Sequence, residues 1–331
     1  MIPTEDIIPI VKNTIAASIK CNTHRGYIGW SSCDNICMDM HDVLDMCEDA
    51  FKRERYQESL EADTYVLVSG VKLASCADSS SGMLTDVIMR AFELIDLSTQ
   101  TIAKLDAAMR KHALSLIIKE AKKKAFDGWD SWRYELLGKA VCLCDEKLAV
   151  KLEKLLDVFL EDIENDYTPE YKRQEDTILR YKLHRHLKGA DAVKDELYAN
   201  LHIREIRIIA VKDATDARNY NEAEKLCLEQ IKKEDGRFYR NIPEDWNNIL
   251  FDVYVQSGIT DKQIEQAKKS EHNMSILRHD TRHHMAVLRT LIQQEDCEKA
   301  LEYLNEVSQT YDDTVIKTYC KNEMVNSVLS I

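Results

Sequence analysis

Apolar residues recur at three- and four-residue spacing along nearly the whole chain, which is the period of a helix that buries one face. Read this way, residues 38–55 and 56–76 form a hairpin-like pair of helices, and "ADSSSGM" (77–83) is the loop after them. Helical patterns follow near 84–97, 99–125, 132–144, 146–163, 169–187, 190–199, 203–217, 220–233, 244–257 and 260–292. End signals support these spans. Thr168-Pro169-Glu170 reads as N-cap, first-turn proline and first-turn acid. Thr260-Asp261-Lys262-Gln263 has the pattern of a capping box. Gly128, Gly189, Gly236 and Gly258 stand where helices should stop.

Composition agrees. The 331 residues include only 9 Gly and 4 Pro against 44% hydrophobic residues, so little interrupts helices and a sizeable core can form. The expected class is all-α: a helical-repeat, TPR-like array, then a coiled-coil lead and an antiparallel helical hairpin. Two segments carry the repeat-like pattern, "RNYNEAEKLCLEQIKK" (218–233) and, more faintly, "RERYQESLEADTYVL" (53–67). In each, a tyrosine precedes a small or acidic residue and an apolar run, so a ring can fill the space over a small neighbour. No strict period joins them.

The net charge of −13 argues against nucleic acid as the main partner, because an acidic surface repels phosphate. The basic runs Lys122-Lys123-Lys124 and His184-Arg185-His186 read as solvated helix faces. No stretch reaches the ~20 apolar residues of a membrane helix, and MIPTEDIIPIVKNTI lacks the form of a signal peptide. The expectation is a cytoplasmic protein that does not engage a membrane. Its ten cysteines are then thiols or metal ligands.

Three sets of residues could carry chemistry. Cys21, His24, Cys33, Cys37 and His41 offer soft ligands, and the last three recur at four-residue steps on one helix face, a spacing that could bind zinc. The alternative is a row of buried thiols at a helix interface. His41-Asp42 and His279-Asp280 together suggest a metal phosphohydrolase set only weakly.

The third set is "SILRHDTRHHMAVLRTLIQQ" (275–294). On a helical wheel, Leu277, Thr281, His284, Leu288 and Leu291 fall within about 40° of one line, a seam for a partner helix. His279 lies at about 200° from Leu277, and His283 about 40° further round. The flanking Arg278 and Arg282 disfavour a bound cation and suit phosphate. Asp280 suits an imidazole that attacks through one nitrogen while the other is held protonated. A polar helix start with no further role is the competing reading.

Two resemblances add to this. "SSCDNICMDMHDVLDMCEDAF", "SCADSSSGML", "KKKAFDGWDSWRYELL" and "EIRIIAVKDATDARNYNEAEKLCLEQIKKE" make residues 1–265 resemble the helical region that follows the finger in bacterial SWIM-type zinc-finger proteins. The ligand pattern Cys-x-Cys then Cys-x-His is absent; Cys142-x-Cys144, in an expected apolar helix, has no later partner pair. That resemblance implies an interaction module without its finger.

"LRHDTRHHMAVLRTLIQQEDCEKALEYLNEV" resembles the phosphoacceptor hairpin of GHKL-type sensor histidine kinases, whose signature reads Arg-His-Asp-x-Arg-His-His. "YCKNEMVNSVLSI" (319–331) looks like the first helix of the ATP-binding domain of that group. The resemblance implies His279 as phosphoacceptor, Asp280 as its acidic helper and His283 as an accessory one turn on. It also implies a homodimer through residues 275–311, with a kinase catalytic domain or response regulator as partner. The second helix has its own apolar stripe of Cys297, Ala300, Leu301, Leu304, Val307 and Tyr311. The expected organisation is an interaction domain (1–260), a lead and hairpin (261–318) and the start of an ATPase domain (319–331). The magnesium and lid motifs of that domain do not occur in this sequence, so the chain is expected to receive or pass on a phosphoryl group with no resident cofactor. A non-catalytic interaction scaffold is the rival expectation.

Overall fold

The computed structural model describes residues 6–161, 163, 168–234, 246–259, 262, 299 and 303. Twelve α-helices and no named strand occur among them, so the all-α class holds. None of these helices is long and apolar enough to cross a membrane. The chain divides into two compact units, Met1–Glu196 and Leu197–Ile331.

In the first unit, α1 (Ile7–Asn22) is a helix that the periodicity reading passed over. Its start, IIPI, contains a proline, but Pro9 occupies the first turn, where backbone N–H groups have no partner within the helix. Asp6 caps this end by accepting from the Ile8 N–H at 3.0 Å, and Ile7, Ile8, Val11 and Ile15 form the buried stripe. A tight turn follows, with Arg25 and Gly26 both at positive φ and two backbone bonds joining His24 and Tyr27.

α2 (Trp30–Lys52) begins eight residues earlier than position 38, because Cys33, Ile36, Cys37 and Met40 extend its buried stripe. α3 (Tyr56–Ala74) is covered on most sides, burying Leu60, Val66, Leu67, Val71 and also Ser59, Asp63 and Thr64. A Cβ on Gly70 of α3 would lie 3.0 Å from Ile88 Cγ1 of α4 (Met83–Ile102), so α3 and α4 approach at a glycine. α4 runs unbroken through Ser98, where a gap was expected, since Ser98 and Thr99 are buried within it. The break comes at Asp106, whose carboxylate accepts from Ala108 and Met109 N–H and starts α5 (Ala107–Ala121). The span 99–125, expected as one helix, is therefore the end of α4, a connection, α5 and a short 3-10 turn at Lys124–Phe126.

α6 (Asp130–Lys139) stops before the expected 144; Val141–Leu143 is a 3-10 turn, so Cys142 and Cys144 do not sit in an apolar α-helix. Asp145 caps α7 (Glu146–Leu160), and α8 (Pro169–Lys188) starts at its proline and ends at Gly189, φ 84°. Gly128, at φ 83°, follows a 3-10 turn rather than ending an α-helix.

The main helix contacts in this unit join neighbours in sequence and next-but-one neighbours. α1, α3, α5 and α7 touch in succession, and so do α2, α4, α6 and α8. The chain thus alternates between two layers, with each helix from α3 on resting on the one two places back and, except for α7, on the one before it.

α9 (Lys194–Ala199) spans the division between the units. In the second unit, α10 (Arg204–Asp216) packs on α11 (Tyr220–Glu234), and α11 on α12 (Trp246–Ser257). Arg207, 3% exposed, satisfies two backbone carbonyls, Leu201 O at 2.9 Å and Leu226 O at 3.0 Å. Glu224 of α11 accepts from Tyr254 Oη and Lys262 Nζ. Gly258, φ 74°, follows α12 as expected of a stop.

Candidate functional site

His279, Asp280 and His283 lie outside the described residues, as do Gly236, the rest of the expected hairpin apart from Lys299 and Tyr303, and the segment 319–331. The residues proposed for zinc are described. Cys33 and Cys37 are buried on α2 and hydrogen-bonded to each other, and burial raises both thiols above the ordinary range. His41 is part-buried and faces Arg90 of α4, which donates to the His41 carbonyl at 3.3 Å and stands 3.4 Å from its Nδ1. Cys21 and His24 are exposed. Among the described residues no group of three or more His, Cys, Asp or Glu is placed to hold a metal ion. The thiols at positions 33 and 37 serve as small core residues, the reading in which cysteines line a helix interface.

The run His184-Arg185-His186 is not simply a solvated face. His184 Nδ1 lies 3.0 Å from Glu196 and its Nε2 3.6 Å from Glu153. His186 Nε2 is 3.0 Å from the Cys144 carbonyl, so it donates there, and Arg185 donates to Tyr181 Oη at 3.1 Å. These contacts tie α8 to the segments on either side of it.

A buried polar cluster joins α2 and α3. Ser59 Oγ is 3.0 Å from the Cys47 carbonyl and 3.1 Å from Asp63 Oδ2, with the Cys47 thiol a further hydrogen-bonding neighbour of the acid. Asp63 is fully buried, and its Oδ1 has no hydrogen-bond partner. Burial pushes the Asp63 carboxyl up to about 7, against the opposing pull of Ser59, Cys47 and Arg90. Ser59, Asp63 and Cys47 are all buried.

A cleft of about 440 Å³ is bordered by α4, α6 and α8. That volume falls in the range of small-ligand pockets. α6 contributes Ser131, Tyr134, Glu135 and Gly138; α8 contributes Glu175, Ile178, Leu179 and Lys182. Both sets follow the i, i+3, i+4, i+7 spacing of a single helix face. The two helices pack on each other, burying Tyr134, Ile178 and Leu179, and the cleft lies along their contact. Asp96 of α4 and Lys139 complete the wall, with Lys139 Nζ 3.7 Å from Asp96 and 3.9 Å from Glu135.

Two details of this cleft are unexplained by the fold itself. Tyr134 is 3% exposed, and its buried hydroxyl has no hydrogen-bond partner among the described residues. Burial, with Asp176 and Asp130 nearby, raises this phenol, so it remains a protonated donor. Gly138 is the second-last residue of α6, and a Cβ there would meet nothing within 4 Å. Neither residue stood out in the sequence, since a tyrosine on a helix face is ordinary and Gly138 fell within the helix expected at 132–144.

No protein-family model matches this chain, and neither does any curated protein or solved structure.

Proposed function

We propose that this chain is a cytoplasmic signal-transduction protein in which a helical scaffold engages other molecules and carries a histidine-kinase-like phosphoacceptor segment. The observation that best supports the scaffold is the alternation of α1 to α8 between two layers. Contacts that reach only one or two helices along the chain leave each layer with a long outer surface, as in helical-repeat proteins that work by presenting such surfaces. Cross-linking mass spectrometry of the full chain in its native extract tests this: partner cross-links should concentrate on one layer. Cross-links scattered over both layers, or absent from residues 6–234, would reject the scaffold.

The phosphoacceptor part rests on Arg278-His279-Asp280-Thr281-Arg282-His283-His284 and on the arginines that suit phosphate. In this reading His279 accepts the phosphoryl group, Asp280 orients its ring, His283 assists, and two chains pair through 275–311. Mixing the chain with ATP and a GHKL-type kinase catalytic domain should place acid-labile phosphate on the wild-type protein and not on His279→Gln. Equal labelling of the two removes the assignment and leaves the non-catalytic scaffold.

A further inference from the structure

We propose that the outer face shared by α2 and α4 docks a basic amphipathic helix of a partner protein. The two helices pack side by side and run in the same direction, since Ser81, just before α4, bonds Asp34, while Arg90 further along reaches the His41 carbonyl and Asp45. Each buries one stripe in the core and turns its opposite side outward. Large apolar residues stand on that outer side: Met38 of α2 is 52% exposed, and Met89 and Leu97 of α4 are 42% and 45% exposed. Met38 comes two residues before the fully buried Met40, so it points about 160° away from it. Met89, Glu93 and Leu97 follow at four-residue steps and share one side of α4. At 1.5 Å per residue the row from Met89 to Leu97 is about 12 Å long, so a partner helix of about four turns covers it. Adjacent helices leave a shallow groove that accepts the side-chain ridge of a third.

Charge chooses the partner. Asp42, Asp86 and Glu93 are exposed on this face, and no Lys or Arg forms an ion pair with any of them among the described residues. Arg90, the cation between the two helices, is already held by Asp45 and Glu48. The open carboxylates repel nucleic acid and anionic lipid and attract lysine and arginine. A cationic helix that also carries an apolar stripe satisfies both halves of the surface, setting its bases against the acids and its stripe against Met38, Met89 and Leu97. Methionine is unbranched and polarizable, so two of these three contacts can adapt to the shape of the incoming stripe. The face belongs to the layer of α2, α4, α6 and α8, and assigning it a partner class rests on the scaffold reading above.

The test titrates the full chain with a synthetic helix, two repeats of Leu-Lys-Lys-Leu-Leu-Lys-Leu blocked at both ends, and follows heat and methionine methyl signals. The expected result is saturable binding that shifts the methyls of Met38 and Met89. Asp42→Asn/Asp86→Asn/Glu93→Gln and, separately, Met38→Ser/Met89→Ser should each weaken binding at least about tenfold. All of these positions are exposed, so the melting temperature should stay near that of wild type. Val150→Ser/Val158→Ser, an exposed apolar pair on α7, should bind as wild type does. The proposal is overturned by absence of saturable binding at millimolar peptide, or by equal binding when glutamates replace the peptide's lysines or glutamines its leucines. It is also overturned when either α2 and α4 variant binds as wild type does. Sedimentation of a wild-type dimer that Met38→Ser/Met89→Ser disperses would overturn it too, by giving the face to a second copy of the chain. Failure of peptide binding while partner cross-links still gather on one layer rejects this partner and keeps the scaffold; scattered cross-links reject the scaffold itself.

Discussion

Ser59 Oγ sits between two acceptors, 3.0 Å from the Cys47 carbonyl and 3.1 Å from Asp63 Oδ2, with one hydrogen to give. A carbonyl can only accept. Both contacts are hydrogen bonds at once only when Asp63 carries a proton and donates to Ser59, which in turn donates to Cys47. When the acid is ionised, Ser59 gives its single hydrogen to the carboxylate or to the carbonyl; burial, which raises the carboxyl to about 7, is what favours the neutral form.

A raised folded-state value means that the native chain holds this proton more tightly than the unfolded chain, whose aspartate titrates near ~3.9. The stabilisation is complete below the unfolded value and is lost as pH rises through about 7. Over that interval the difference amounts to about 4 kcal/mol at most. Urea unfolding at pH 5.5 and pH 8 should show wild type losing more stability at the higher pH than Asp63→Asn, which cannot ionise. Parallel losses in the two proteins would show that Asp63 does not titrate in this window.

The helical glycines Gly70 and Gly138 should respond in opposite ways. Gly70→Val pushes side-chain atoms into Ile88, whose Cγ1 is 3.0 Å from the new Cβ, and should cost about 1–3 kcal/mol. Gly138→Ala meets open space and should stabilise by roughly 0.5–1 kcal/mol. Thermal melts of the pair read both signs against the same wild type.

Arg207 holds two carbonyls in the second unit. Arg207→Met keeps much of the buried stem but leaves Leu201 O and Leu226 O without their guanidinium donor, at a cost of about 1–3 kcal/mol each if no water replaces it. Hydrogen exchange should quicken in α10 and α11 and remain as in wild type in α1 to α4.

Thiol reactivity separates core from surface. Cys21 and Cys76 are exposed and should react with a thiol reagent at the rate of a free thiol. Cys33, Cys37, Cys47, Cys144 and Cys227 are buried with raised thiol values and should label only on unfolding. Peptide mass spectrometry reads each site by itself. Fast labelling of Cys33 or Cys37 would contradict their place in the core.

Helix-end chemistry gives a further measurable effect. Asp106→Ala removes the acceptor for two first-turn N–H groups of α5 and should cost about 1 kcal/mol. Asp106→Asn or Asp106→Ser should recover most of it, because either side chain can accept the same bonds.

The sequence by itself determined the class and most of the helices, because apolar spacing and scarce glycine and proline act locally. α3, α8 and α10 were legible to within one or two residues. The misses have local causes too. Pro9 hid α1, the polar look of "SSCDNIC" hid the first turns of α2, and buried Ser98 and Thr99 disguised the middle of α4 as a break. Only the tertiary structure decided which polar groups entered the core and which helix faces border a cleft. Asp63 reads as an ordinary helical aspartate until α2 covers it. Ser131 to Gly138 and Glu175 to Lys182 are each unremarkable stripes until packing sets them around one cleft. Burial and spacing between segments distant in sequence depend on how helices stack, and residue periodicity within one helix carries no record of that distance.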